Sequence, residues 1–554
     1  MATVASDRRQ GEGAKPLVLH DLSLLRFTDT ESPLNRDAWT VKSGIREYRL
    51  GLAMKMDFLT SELSNRRVFL RRAAASGLFV LSPRWLRSQG VAHKSATLYV
   101  TDATEKYAER PELCWTPAAA RVGGATIEID STRQFQPILG FGAALTDASC
   151  FLLHGMPAAS RQAFLRETYS PAGLNLNLGR CCIGSSDYSR SVYSYDDVPD
   201  DMNLDHFSLK HDEAYIVPTL REIREINPNL FLLASPWSPP GWMKTYGTTV
   251  GGRTKDNYLG PYTHWLWDLS NESMLGGWMS ESYLDVYSRY IGKFLKGYAQ
   301  LGVPVQAITP QNEVDTTQNG TMPACRWSPT LEAAFVRDHL GPLLRAQHQQ
   351  TQIWLLDHNY QLYQRVEAQL EDKQLTKYVD GVAWHAYTGT PDQMSLVHQK
   401  DPGVPFYWTE GGPFIDAADY ATDWARWGGV FTDALENWCR SAITWNLMLD
   451  PRGKPNLGPY NCAGLVTLKD DGTIVKSGQC HALRHFSRHL QRDGIRIATG
   501  SSDSGVRHVA VRNPDGSFAL VLTNPGEAKN LRIIQAGQQV SFALPRNAVA
   551  TLVW

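Results

Sequence analysis

Two glutamates are placed where they could cleave a glycosidic bond. Glu313 closes the run AITPQNEV and Glu410 closes FYWTEGG up to its glycines, each at the end of a short apolar, strand-like segment. A pair of carboxyl groups is the usual equipment for this chemistry. At about 5–5.5 Å apart, one attacks the anomeric carbon while the other, held protonated, donates to the leaving oxygen; at roughly 6.5–9.5 Å a water fits between and the configuration inverts. Asn312, directly before Glu313, offers an amide for the sugar 2-hydroxyl, a contact that strengthens in the transition state. A lone strand-end glutamate is more often an ion-pair or capping residue. Two of them on facing strands, with the asparagine beside one, favour catalysis.

The elements that would position this pair recur along the middle of the chain. Eight apolar runs, Ile138–Phe141, Leu174–Arg180, Leu230–Ser235, Val305–Thr309, Ile353–Asp357, Gly381–Tyr387, Phe406–Thr409 and Ala442–Leu447, alternate with amphipathic stretches such as 214–226, 283–301, 331–346 and 421–439. Eight strands alternating with helices predict an α/β fold, a (β/α)8 barrel over 133–480. Polar and aromatic residues collect at the ends of these runs, in SPWSPP, TPQNE, WHAY, TEGG and TWNL, where such barrels build their sites. Glu313 and Glu410 fall on the fourth and seventh strands, which face each other across the mouth. A doubly wound sheet would carry a glycine-rich phosphate turn, but GFGAAL lacks the third glycine and no Walker motif occurs. Residues 96–132 and 481–554 instead show short alternating runs, with a hairpin signal at Asn513-Pro514-Asp515-Gly516. They predict an appended antiparallel β-sandwich built from both chain ends.

Composition narrows the function classes. In 554 residues, 55 Lys and Arg against 56 Asp and Glu leave a net charge of −1, without the basic excess that nucleic acid requires. A hydrophobic content of 43% with 20% charged residues excludes global disorder. The 17 Trp and 22 Tyr suit either core packing or the gripping of flat, amphipathic sugar faces. The 15 His form no HExxH and no GxSxG elbow occurs, so neither metal nor serine hydrolysis is indicated, and no cofactor is expected. The eight Cys show no CxxC spacing, which leaves disulfides and buried thiols both open. Within 54–95, Arg66-Arg67 precede Val68, Phe69 and Leu70 and an apolar run from Ala73 to Leu81 that is too short to span a bilayer. This resembles a twin-arginine signal, so periplasmic or extracellular export is expected, with 1–53 a non-structural extension before a start at Met54 or Met56.

Several long motifs resemble glycoside hydrolase family 30, in particular its glucosylceramidase-like branch. GFGAALTDA, CCIGSSDYSRSVYSYDDVPDD, LLASPWSPPGWMKT, TPQNEV, GVAWHAY, TEGG and TWNLMLDPRGKPN follow the family order from about residue 97 to 554. The resemblance implies a retaining β-glucosidase without cofactor, acting on a β-linked carbohydrate or glycolipid, with Glu313 as acid/base and Glu410 as nucleophile. It implies a glycone pocket of Asp187, Trp237, Asn312 and Trp445, with Arg180 and Tyr387 beside the nucleophile. Trp237 and Trp445 could also be barrel-top packing, and His385 either a hydrogen-bonded packing histidine or a substrate contact. Endo-β-1,6-glucanase and β-xylosidase activity are the alternatives within the family, and a catalytically silent carbohydrate-binding barrel is the alternative outside enzymes. TEGG has two glycines, and HAY has Ala386, where mammalian lysosomal members carry bulkier residues. Both are expected near the entrance, where they would alter aglycone preference.

Overall fold

The computed structural model describes residues 95–119, 124–245, 277–316 and 322–554. The expected extension and export segment lie, but for Ser95, outside these residues. Eight strands close into a parallel barrel: β1 Gly140–Ala144, β2 Leu178–Ile183, β3 Phe231–Pro236, β4 Ala307–Ile308, β5 Gln352–Asn359, β6 Gly381–His385, β7 Phe406–Glu410 and β8 Cys439–Thr444. The helical periodicities materialise as α1 Ile216–Ile226, α2 Leu284–Gln300 and α3 Trp424–Glu436, among others, and a further helix, α4 Gly478–Ser487, follows them. In α1 the buried face is Ile216, Val217, Leu220 and Ile223, the spacing of one helical stripe. No helix among the described residues is long and apolar enough to cross a membrane.

The barrel interior is layered by the two-residue period of its strands. Leu178, Leu233, Ala307, Trp354, Ala383, Tyr407 and Ile443 form an apolar floor, in which Trp354 and Tyr407 stack with ring centroids 3.7 Å apart. Two residues further on, the same strands turn in Arg180, Ser235, Thr309, His385 and Thr409, all buried. β5 alone breaks the count, since its inward polar residue, Asp357, comes three positions after Trp354. The extra residue is taken up by a bulge: pairing with β6 slips between Leu356 and His358, and Leu356 and Asp357 adopt φ of 74° and 47°. Such left-handed backbone is costly for residues with a side chain and persists only where surrounding contacts hold it.

A second sheet adjoins the barrel; it is antiparallel as expected except where Ala125–Pro137 and Lys529–Gln535 run parallel. Ser95–Thr101 pairs with Ala548–Val553, and Ala125–Pro137 lies between Ile495–Ser501 and Lys529–Gln535. The Asn513–Gly516 turn closes the hairpin of Arg507–Arg512 and Phe518–Asn524, with the Asn513 amide donating to Ser517 O at 2.8 Å. Strand alternation assigns its two faces. Val509, Val511, Val521 and Val549 pack with the barrel helices, whereas Ala510, Leu520, Leu522 and Leu552 fill the sheet's own core. A Cβ at Gly428 of α3 would lie 2.9 Å from Val549 Cγ2, so glycine allows the helix this close approach. The strand Ala125–Pro137 and helix α4 run across the domain boundaries expected at 132 and 480. Their hydrogen bonding and packing continue past the points where the sequence pattern changes.

Below the barrel mouth, Asp212 anchors the long segment after β2. Its carboxylate accepts from the hydroxyls of Tyr193 at 3.1 Å, Tyr195 at 2.6 Å and Tyr298. Burial pushes its carboxyl up to about 6, although the Tyr195 and Tyr298 hydrogen bonds and His211 pull the other way. Its unfolded value is about 3.9, so this group's stabilisation is complete below pH 4 and is lost as pH rises through 6, a change of about 3 kcal/mol. Urea midpoints at pH 4.5 and 7.5 should therefore show wild type gaining relative to Asp212→Asn at the lower pH. Equal differences at both pH values would contradict this assignment.

Candidate active site

The polar layer of the barrel converges on Asp357, which the sequence reading did not single out. Its Oδ2 takes hydrogen bonds from Arg180 Nη2 at 2.8 Å, Ser235 Oγ at 2.7 Å and Thr309 Oγ1 at 2.8 Å. Its Oδ1 takes Thr409 Oγ1 at 2.8 Å and His385 Nε2 at 3.0 Å. Burial alone would raise its carboxyl, but Arg180 and His385 outweigh that and hold it far below the usual range. A buried carboxylate is tolerable when its oxygens are saturated in this way.

From that anchor Arg180 reaches both expected catalytic strands. Its Nη1 donates to Glu410 Oε2, and its Nη2 donates to Asn312 Oδ1 at 2.7 Å. Tyr387 OH donates to the other Glu410 oxygen at 3.1 Å, so the carboxylate is gripped at both ends. A register slip between Trp384 and His385 against β7 sets Glu410 level with His385. Glu313 follows the end of β4 with φ of 52°, its amide bonded to Asp357 O at 3.0 Å. His385 then stands between the glutamates: Nδ1 lies 3.4 Å from Glu313 Oε1 and Nε2 lies 3.8 Å from Glu410 Oε2. Burial depresses this imidazole, but Glu410, Asp357 and Glu313 around it prevail and raise it to about 9. It is an imidazolium at neutral pH. In turn, burial raises the Glu313 carboxyl while His385 and His358 pull it down, and the histidines prevail.

The remaining expected residues wall one cavity of about 410 Å³ that opens over the two glutamates. Trp237 and Trp445 stack with centroids 5.1 Å apart, and the Arg180 guanidinium lies 4.8 Å and 5.5 Å from their rings. These indoles both pack and line the cavity, so the two readings of them coexist. His385 is fully buried behind the cavity wall and lies against both glutamates. Asp187 is fixed by Leu457 N on its carbonyl at 2.7 Å, yet its buried Oδ1 has no hydrogen-bond partner. Burial, then Glu410 and Glu313, push its carboxyl well above the ordinary value. A buried carboxyl oxygen without a protein partner at the cavity wall is one that a sugar hydroxyl can satisfy. Asp187→Ala should therefore lower kcat/KM by about 10–150-fold without lowering the melting temperature. A drop in both would instead mark Asp187 as structural.

Phe414, Tyr460 and Cys462 complete the rim and were missed from sequence because they lie on loops without a periodic pattern. A Cβ at Gly411 would lie 2.4 Å from the Trp408 ring and one at Gly412 3.0 Å from Trp445 O, so glycine at both positions serves close packing. All eight cysteines are free thiols, with Cys181 packed among the barrel helices and Cys182 under the cavity. Among the described residues, the side chains of metal-ligand type that gather closely are Glu313, His358 and His385.

Comparison with known proteins gives the same two-part architecture. Residues 138–490 match the glycosyl hydrolase family 30 TIM-barrel domain, and 494–552 match that family's β-sandwich domain. An endo-1,6-β-D-glucanase of Aspergillus fumigatus is 30% identical over 83% of this chain and 94% of its own. The lysosomal acid glucosylceramidase of Mus musculus is 27% identical over 73% of this chain and 78% of its own. The solved structure of an endo-β1,6-glucanase superposes with a TM-score of 0.72 and 28% identity, covering 83% of this chain and 99% of that one.

Proposed function

Since the chain belongs to glycosyl hydrolase family 30 and is a glycoside hydrolase, we propose that it is a retaining β-glucosidase of glucosylceramidase-like type. Glu410 is the nucleophile and Glu313 the acid/base. The observation that carries this reading is the asymmetry of the two carboxyl groups. Glu410 is clamped at both oxygens by Arg180 and Tyr387, as an attacking group must be aimed. Glu313 stands at the cavity edge with its Oε1 against the His385 ring nitrogen, so the proton it delivers to the leaving oxygen is held on this pair. A bound sugar would strip water from Glu313, which strengthens the burial that already favours its protonated form.

Asn312 and Asp187 complete the glycone site. Arg180 occupies Asn312 Oδ1, which leaves the Nδ2 donor to hold the sugar 2-hydroxyl. Asp187 accepts other hydroxyls, and the Trp237–Trp445 pair presents an indole face to the sugar ring. After attack, Glu410 is esterified to the sugar with inversion. Glu313 then takes a proton from water, which attacks the same carbon with a second inversion, so the β configuration returns.

A second reading, endo-β-1,6-glucanase, is supported by the relatives at 28–30% identity. The partly exposed Phe414 and Tyr460 at the rim would serve as a platform for a further glucosyl unit. One panel separates these readings: aryl β-glucosides and β-xylosides, glucosylceramide, and β-1,6-glucan oligomers, with the first-formed anomer read by proton NMR. Release of β-glucose from glucosylceramide with poor oligomer cleavage is the expected result. Internal cleavage of the oligomers would favour the glucanase, and α-glucose as first product would overturn the retaining mechanism. Export from the cytoplasm is proposed on the Arg66-Arg67 segment alone, and fractionation of cells expressing the full chain tests it.

A further inference from the structure

The acid/base has two imidazole neighbours, of which His358 has no part in the hydrolytic reaction. Glu313 Oε1 lies 3.4 Å from His385 Nδ1 and 3.6 Å from His358 Nδ1, and the three ligand atoms all fall within 4.8 Å of one another. Ligands held at about 2.0–2.1 Å around a tetrahedral ion stand about 3.4 Å apart. Two edges of the triangle, 3.4 Å and 3.6 Å, thus match what a zinc-type ion demands, and the third is no longer than 4.8 Å.

The far nitrogens supply a second, independent observation. His385 Nε2 is bonded to Asp357 Oδ1 at 3.0 Å, and His358 Nε2 meets Asp315 Oδ1 at 2.7 Å. Each imidazole is therefore oriented by a carboxylate on one nitrogen and turns the other toward Glu313, where His358 Nδ1 also meets Asn359 Nδ2 at 3.3 Å. That arrangement fixes the tautomer and ring angle of metal-bound histidines and raises their basicity as ligands. It comes from the β5 bulge, which sends consecutive residues Asp357 and His358 to the two different jobs. Glu313 and His358 retain about a tenth of their side-chain surface, so a fourth position faces the cavity and is open to water.

We propose that Glu313, His358 and His385 form a three-ligand site for a borderline divalent ion such as Zn²⁺, and that its occupation reversibly switches the enzyme off. The ion occupies the carboxyl oxygen that would otherwise protonate the leaving group. Two nitrogens and one oxygen select zinc, cobalt or copper over magnesium and calcium, which prefer all-oxygen shells. The binding site stands on geometry alone, whereas its inhibitory effect rests on Glu313 being the acid/base.

The full chain, freed of metal with a chelator, is titrated with Co²⁺ and followed by visible absorption, and with Zn²⁺ during hydrolysis of an aryl β-glucoside. Expected are one cobalt per chain with tetrahedral bands, zinc inhibition that a chelator reverses, and no response to Mg²⁺. The inhibition constant of His358→Gln, measured against its own metal-free rate, should rise at least tenfold. Asp315→Asn, which leaves all three ligands in place, should weaken zinc by about 10–100-fold and serves also if the histidine variant does not fold. Cobalt bands at this site with unchanged hydrolysis would uphold the site and overturn the role given to Glu313. Absence of binding, an intense sulfur-to-cobalt band, or inhibition unaltered in both variants would overturn the site itself.

Discussion

Replacement of Glu410 by glycine should depress hydrolysis of every substrate by about 10⁵-fold or more, the scale seen when a covalent nucleophile is deleted from an intact site. Among the described residues, Arg180 and Tyr387 converge on this carboxylate from β2 and the end of β6, and both are donors at that position. No glycosyl-enzyme can then form. The vacated volume admits a small anion, and azide attacking from that side of the sugar should give the inverted α-glycosyl azide. Product NMR reads this directly. A β-azide, or near wild-type turnover, would mean that Glu410 is not the nucleophile.

Loss of Glu313 should be felt unequally by different substrates. With Glu313→Ala, poor leaving groups such as alkyl or sugar alcohols lose protonic assistance, and their cleavage should fall by roughly 10²–10⁴-fold. Dinitrophenyl glucosides need little proton donation, so they should still form the intermediate and show a burst before turnover stalls. Added azide should relieve the stall and give the β-glycosyl azide, the stereochemistry opposite to the Glu410 variant. The His385 ring that bridges the two glutamates remains in both variants, so the contrast isolates the carboxyls themselves. Equal losses across all leaving groups would mean that Glu313 acts through structure.

Much of the barrel was legible because its strands obey a single rule. Apolar runs ending in polar clusters give both the strand and its functional end, so Glu313 and Glu410 could be placed before any contact was known, whereas Arg180 and His385 came with the family resemblance. The strand limits moved where packing rather than pattern decides them. β2 begins at Leu178 and not at Leu174, since Leu174 and Leu176 make hydrogen bonds back to residues 167 and 168. Asp357 and His358 escaped notice because the bulge puts them out of phase with the two-residue count. Phe414, Tyr460 and Cys462 lie on loops, whose proximity to the site depends on the closed barrel and not on local spacing. The orphaned oxygen of Asp187 is a property of its surroundings, which no motif encodes.

The bulge in β5 also bears on how such a site can change over time. A point substitution alters one side chain, whereas loss of one residue between Trp354 and Asp357 would restore the plain two-residue count and let the strand run regularly. The anchor of the polar layer would still face inward, but the left-handed backbone at Leu356 and Asp357, and the slip in pairing with β6 that goes with it, would be gone. What the extra residue supplies is therefore a local bend and not the direction of the anchor. Length variation in a strand, ordinarily dismissed as alignment noise, is here a heritable means of re-aiming one side of an active centre while the outer shell of the barrel stays as it was.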